Sequence, residues 1–87
     1  METMNNKAAI LRRVIELAAA EAGCDAAEVT AEMTLQDDLD FDSLATMEFT
    51  MNIEDAFGLD IPDEQASQVK TVGQAADLVA AALTVGS

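Results

Sequence analysis

From Asn6 to Ala22 the apolar residues Ile10, Leu11, Val14, Ile15, Leu17 and Ala18 recur at three- and four-residue spacing. That is the period of a helix burying one face, with Asn5 or Asn6 able to cap its start and Gly23 placed to end it. Between Cys24 and Asp42 the period is lost, and Val29, Met33, Leu35, Leu39 and Phe41 fall at irregular intervals. They read as anchors pinning a long loop to a core, with a short helical turn near Asp25 to Val29; a connection this long in a small domain usually has a function. The helical period returns from Ser43 to Phe57, with Asp42 or Ser43 as N-cap and Gly58 as stop. Pro62 followed by acids predicts a short third helix over about Pro62 to Gln68. Thr71 with Gln74 three residues on forms a capping box that opens a fourth helix, whose buried stripe is Val72, Ala75, Ala76, Val79, Ala82 and Leu83. No segment alternates with period two for long enough to make a strand. The expected fold is all-α: a small four-helix bundle, three main helices plus a short helix III, with a long loop between helices I and II. At 87 residues the chain is expected to form a single domain, 1–87, without internal repeat or linker.

The second helix carries two apolar faces. At about 100° per residue, Phe49, Ile53 and Phe57 lie within roughly 80° of one another, flanked by Thr46, Thr50 and Ala56. Leu44, Met47 and Met51 form another stripe, centred roughly 150 to 180° away and bordered by Glu48, Glu54 and Asp55. Either the helix is buried on both sides, or the second stripe is a docking surface on which the acids steer a basic partner into register. Two methionines suit a surface that must fit several partners, because their side chains repack easily.

Charge sharpens the second reading. Seventeen acids against four bases give a net charge of −13, which excludes a nucleic-acid backbone as partner and favours basic proteins. Eleven of the acids lie between Glu32 and Glu64, a span with no Lys or Arg, so the negative field belongs to the loop, helix II and the start of helix III. The 51% hydrophobic content and its regular spacing separate the chain from disordered acidic sequences. The longest apolar run is far short of a membrane span, and "METMNNKAAI" lacks the basic and apolar regions of a signal peptide, so the expected location is cytoplasmic. Cys24 is the sole cysteine and there is no histidine, which leaves neither a disulfide framework nor an imidazole-activated thiol.

The same absence of histidine bears on Ser43, which four aspartates precede within six residues in "DDLDFDSLATMEF". A serine nucleophile needs a base, usually histidine, and none exists here. Ser43 is then either a plain N-cap or a hydroxyl presented at a helix start for another enzyme to modify. A phosphoryl group there would sit beside unsatisfied helix N–H groups and the positive end of the helix dipole, which partly offsets repulsion from Asp40 and Asp42.

"DDLDFDSLATMEF", followed by "IEDAFGLDIPDE" and "TVGQAADLV", resembles the acyl carrier proteins of fatty-acid and polyketide synthesis over nearly the whole chain. The resemblance implies a helical bundle that is not an enzyme and has no catalytic residues of its own. It implies that Ser43 carries 4′-phosphopantetheine from coenzyme A and that Asp42 belongs to the attachment motif. Leu44, Met47, Glu48, Met51, Glu54 and Asp55 are implied to form the partner-binding helix. The arm's terminal thiol would hold acyl groups as thioesters. The partners implied are a phosphopantetheinyl transferase (holo-carrier synthase) and acyltransferases, ketosynthases, ketoreductases, dehydratases, enoyl reductases or acyl-activating enzymes with basic docking patches, met by a monomeric carrier. Many family members read Asp-Leu-Gly-x-Asp-Ser-Leu; here Asp40 occupies the glycine position, with no evident role beyond added negative charge. "FDSL" also differs from the "GGxSL" of peptidyl carriers, which favours acyl cargo.

Two readings compete. Asp38, Asp40 and Asp42 copy the first three ligand positions of an EF-hand loop, but the sixth position is Ser43 rather than glycine and the twelfth is Phe49 rather than glutamate, so no specific metal site is expected, only weak divalent binding to crowded carboxylates. An acidic adaptor would use helix II for docking without covalent cargo. Within the carrier reading, the short free-standing chain favours a dissociated fatty-acid system over a dedicated polyketide or other secondary-metabolite route. Ala18, Met33 and Ala76 are the small or flexible residues expected to wall any cargo cavity.

Overall fold

A computed structural model describes residues 7–85, and the surroundings of the side chains from 7 to 83. The elements are α1 (Lys7–Ala22), a 3-10 turn (Ala26–Glu28), α2 (Ser43–Phe57), α3 (Asp63–Ala66) and α4 (Val72–Val85). Among the described residues there is no strand; one isolated bridge joins Thr34 to Thr71. The all-α bundle and its long α1–α2 loop are as the periodicity predicts. The expected cap at Asn5 or Asn6 lies outside the described residues.

The helices α1 and α2 end where backbone chemistry requires. Gly23 and Gly58 take φ of +79° and +65°, and the Gly23 N–H donates to the Ala19 carbonyl over 2.8 Å, closing α1. Gly58 does the same for α2, its N–H donating to the Glu54 carbonyl. At the start of α4 the predicted capping box is complete: the Gln74 N–H donates to Thr71 Oγ1 (3.1 Å), and Gln74 Oε1 accepts from the N–H groups of Thr71 (3.3 Å) and Lys70 (2.7 Å).

The third helix is shorter than expected, Asp63–Ala66 rather than Pro62 to Gln68. Pro62 is its cap, and after Ala66 the chain tightens into i→i+3 bonds, with the N–H of Gln68 on the Gln65 carbonyl and that of Val69 on the Ala66 carbonyl. The tighter winding brings the partly buried Val69 against the core.

The core is one cluster. Ile10, Val14 and Ala18 of α1 meet Phe49 and Ile53 of α2 and Val72, Ala75 and Val79 of α4, with Val29, Leu35 and Phe41 of the loop and Ile61 completing it. α1 packs against both α4 and α2. Of the five predicted loop anchors, Val29, Leu35 and Phe41 are buried, and Met33 and Leu39 are partly so. The loop is also clipped to the start of α4: the N–H groups of Val72 and Gly73 donate to the carbonyls of Met33 (3.1 Å) and Ala31 (2.9 Å), and the Leu35 N–H donates to the Lys70 carbonyl (2.9 Å). Loop carbonyls thus satisfy helix N–H groups that would otherwise need water. Glycine at 73 permits the approach, since a Cβ there would stand 3.1 Å from the Ala31 oxygen. The loop that precedes Ser43 is therefore held at its middle and at its end.

Candidate functional site

Asp42, not Ser43, caps α2. Its backbone is extended (φ −86°, ψ −172°), and its Oδ1 accepts the Ala45 N–H over 2.8 Å. Its carbonyl accepts both the Thr46 N–H and the Thr46 hydroxyl, each at 2.9 Å. With capping done by its neighbour, Ser43 begins the helix exposed, and its hydroxyl makes no hydrogen bond among the described residues. The N-cap reading of Ser43 is thereby corrected: an aspartate satisfies the N3 donor, which leaves the serine oxygen available for chemistry.

The two faces of α2 have separate fates. Phe49 and Ile53 are buried, whereas Leu44, Met47 and Met51 are 62%, 58% and 55% exposed, the large apolar side chains left in solvent among the described residues. The alternative of a helix buried all round is overturned. Glu48 and Asp55 stand exposed beside the stripe. Glu54 differs: it is half-buried, and its Oε2 accepts the Ile61 N–H over 2.7 Å, tying α2 to the segment before α3.

A groove of about 540 Å³ opens beside Ser43 and runs past Thr46, Met47, Thr50 and Met51 toward Ile61 and Lys70. Lys70 is the one cation among the described residues on its walls; lying 27 positions after Ser43, it gave no local signal in the sequence. The interior gap behind this groove measures only about 10 Å³, between Phe49, Ile53, Ile61, Val69, Ala75 and Leu78, room for about one water. Ala18, Met33 and Ala76 do not line it. Ala18 and Ala76 are buried in the core, where small side chains let α1 and α4 approach and so close space instead of opening it.

Asp40 acquires a physical account. Its φ is +59°, and it is the non-glycine residue with positive φ among those described. A left-handed turn just before the cap is what glycine tolerates freely and aspartate only at a cost of about 1 kcal/mol. Asp40→Gly should therefore match or exceed the wild type in melting temperature, and Asp40→Val should fall several degrees below it. A thermal melt in which valine equals aspartate would remove the strain argument.

Two other acids of this run are engaged locally. Asp38 Oδ2 accepts both the N–H (2.8 Å) and the hydroxyl (3.1 Å) of Thr34, and Asp42 holds Ala45. Two of the three carboxylates in the EF-hand-like run are thus turned to their own backbone. Among the described residues no group of three or more His, Cys, Asp or Glu is placed to hold a metal ion. No described helix is long and apolar enough to cross a membrane.

Known proteins resemble this chain over most of its length. The family described as phosphopantetheine attachment site matches residues 12–79. The chain is 44% identical over 70 residues to the acyl carrier protein of Rubrobacter xylanophilus, covering 80% of this chain and 86% of that one. It is 43% identical over 76 residues to that of Myxococcus xanthus, covering 87% and 96%. The solved structure of acyl carrier protein from Enterococcus faecalis superposes with a TM-score of 0.72 at 34% identity, covering 87% of this chain and 96% of that one.

Proposed function

The chain belongs to the acyl carrier protein family, and we propose that its whole length, 1–87, acts as one cytoplasmic, monomeric carrier domain loaded at Ser43 and serving fatty-acid biosynthesis. It is a carrier rather than a catalyst, and its prosthetic group is 4′-phosphopantetheine. When attached, the arm supplies a thiol that holds acyl groups as thioesters.

The observation that carries the assignment of Ser43 is its free hydroxyl at the first position of α2, released from capping by Asp42. The residues around it fit a phosphodiester. Asp42 takes the Ala45 N–H, which leaves the N–H groups of Ser43 and Leu44 at the start of α2 without an intrahelical partner, and the helix dipole presents its positive end there. The pinned loop holds the serine at a set position, so a transferase meets one geometry. A net charge of −13 makes copies repel one another, which supports the monomer.

The partner surface we propose is Leu44, Met47 and Met51 with Glu48 and Asp55, presented to basic patches on a phosphopantetheinyl transferase and on the acyltransferases, ketosynthases, ketoreductases, dehydratases and enoyl reductases of the pathway. The exposed stripe supplies apolar area to bury, and the acids supply steering. Glu54 belongs to the same helix, yet its bond to the Ile61 N–H gives it a structural task, so Glu54→Lys would weaken the fold as well as docking. Glu48→Lys is the cleaner test. It should slow association with a basic partner on the order of several-fold at low salt, with the difference shrinking as salt is added. Equal association rates for the two proteins in stopped flow at low ionic strength would sink the steering assignment.

Fatty-acid synthesis and a dedicated polyketide route would use the same carrier chemistry, so the enzymes served distinguish them. The experiment that decides between them loads the protein with coenzyme A and a transferase, then supplies it to reconstituted dissociated fatty-acid enzymes or to polyketide enzymes. Chain extension by the first set supports the reading, and extension by the second set alone overturns it.

A further inference from the structure

Lys70 is held at two backbone points. Its N–H donates to Gln74 Oε1 (2.7 Å), and its carbonyl accepts the Leu35 N–H (2.9 Å). The Leu35 carbonyl in turn accepts the N–H of Phe41 (2.8 Å), two residues before Ser43. A single residue, Leu35, therefore ties the segment that delivers Ser43 to the segment that carries Lys70, and both Ser43 and Lys70 line the groove of about 540 Å³. The exposed side chain of Lys70 thus starts from a fixed point on that groove. Its charge is also uncommitted. Lys7 pairs with Asp77 and Arg13 with Glu16, each at 3.2 Å, whereas Lys70 forms no ion pair with a described residue. Asp37, Asp42, Glu54 and Asp63 share the groove, but Asp42 is turned to the Ala45 N–H and Glu54 to the Ile61 N–H.

Resting on the reading of Ser43 as the attachment point, we propose that Lys70 is a positioning residue for the arm: its ammonium pairs with the phosphodiester formed at Ser43 and holds the start of the arm against the groove. The phosphodiester adds negative charge to a chain already at −13, in a region where Glu32 to Glu64 holds no Lys or Arg. Repulsion from the neighbouring carboxylates therefore opposes loading unless a cation comes from elsewhere in the chain. The start of α2 offers N–H donors and about half a charge, and Lys70 adds a whole one. A lysine answers a phosphate as a point charge, so its flexible stem needs no set angle of approach.

The test compares thermal melts of the full chain before and after loading with coenzyme A and a phosphopantetheinyl transferase, with intact mass confirming the loading. It uses wild type, Lys70→Gln, Lys70→Arg and the control Arg12→Gln. Arg12 lines a cavity with Phe57, the last residue of α2, and the helix between Phe57 and Ser43 is about 20 Å long at 1.5 Å per residue. At low salt, loading is expected to lower the melting temperature of Lys70→Gln by roughly 1 to 5 °C more than that of wild type, with the difference shrinking as salt is added. Lys70→Arg and Arg12→Gln should respond to loading as wild type does. Comparing each variant with its own unloaded form removes any effect of the substitution on the fold itself. In parallel, the phosphorus NMR resonance of the loaded protein should move in Lys70→Gln and stay in place in Arg12→Gln. A wild type that loads and then responds as Lys70→Gln does overturns the pairing while leaving the attachment intact, as does a phosphorus resonance that Lys70→Gln leaves unmoved. Equal responses from Lys70→Gln and Arg12→Gln would show general charge repulsion and overturn it too. A wild type that gains no arm overturns the reading of Ser43, and the pairing falls with it.

Discussion

Ser43→Ala is expected to abolish loading completely while leaving the fold intact. Wild-type protein incubated with coenzyme A and a phosphopantetheinyl transferase should gain the mass of one arm, and the alanine variant none. The loss is absolute in kind because a methyl group offers no oxygen to form the phosphodiester. Stability should change by no more than about 0.5 kcal/mol, since the hydroxyl makes no hydrogen bond among the described residues and alanine suits the first turn of a helix. Matching circular dichroism and melting curves would establish that the variant folds. An alanine variant that still acquires the arm would overturn the assignment of Ser43. A folded variant that keeps full function in chain extension would restore the acidic-adaptor reading.

Phe49→Ala is expected to cause the largest loss of stability of any single truncation in α2. The ring is 1% exposed and lies 5.6 Å from that of Phe41, tilted by 60°, so it joins α2 to the loop that delivers Ser43. Truncating a buried phenylalanine costs about 3 to 5 kcal/mol. A domain of this size has a total stability on the order of 4 to 13 kcal/mol, so the variant should be largely or wholly unfolded at 37 °C. Urea unfolding should show the midpoint collapsing for Phe49→Ala and falling much less for Phe49→Leu, which keeps most of the volume. Midpoints for Phe49→Ala near wild type would mean that the ring is not part of the core.

The contrast between Phe49 and Met51, two residues apart, shows how far the pattern along the chain reaches. Their angular positions on α2 separate two apolar faces with no knowledge of the fold. Which face would be covered depended on where α1 and the loop came to lie, and that is a matter of contacts distant in sequence. Ser43 obeys the same logic. Its place at a helix start was legible, but its freedom from capping rests on the Asp42 side chain reaching the Ala45 N–H.

Period, caps and glycine stops set the helices, because these effects act within four or five residues: α2 begins and ends where Asp42 and Gly58 place it, and α4 begins where Thr71 and Gln74 do. The acidic field and the missing histidine also belong to the chain alone, since composition does not change on folding. Other features arise from separations too long for local rules. The loop carbonyls of Ala31 and Met33 cap α4, Glu54 reaches Ile61, and Lys70 comes to the groove beside Ser43. Asp40 falls between the two. Its glycine-like position is visible in the family pattern, but the positive φ that explains it exists only once the loop is pinned at Phe41 and Leu35.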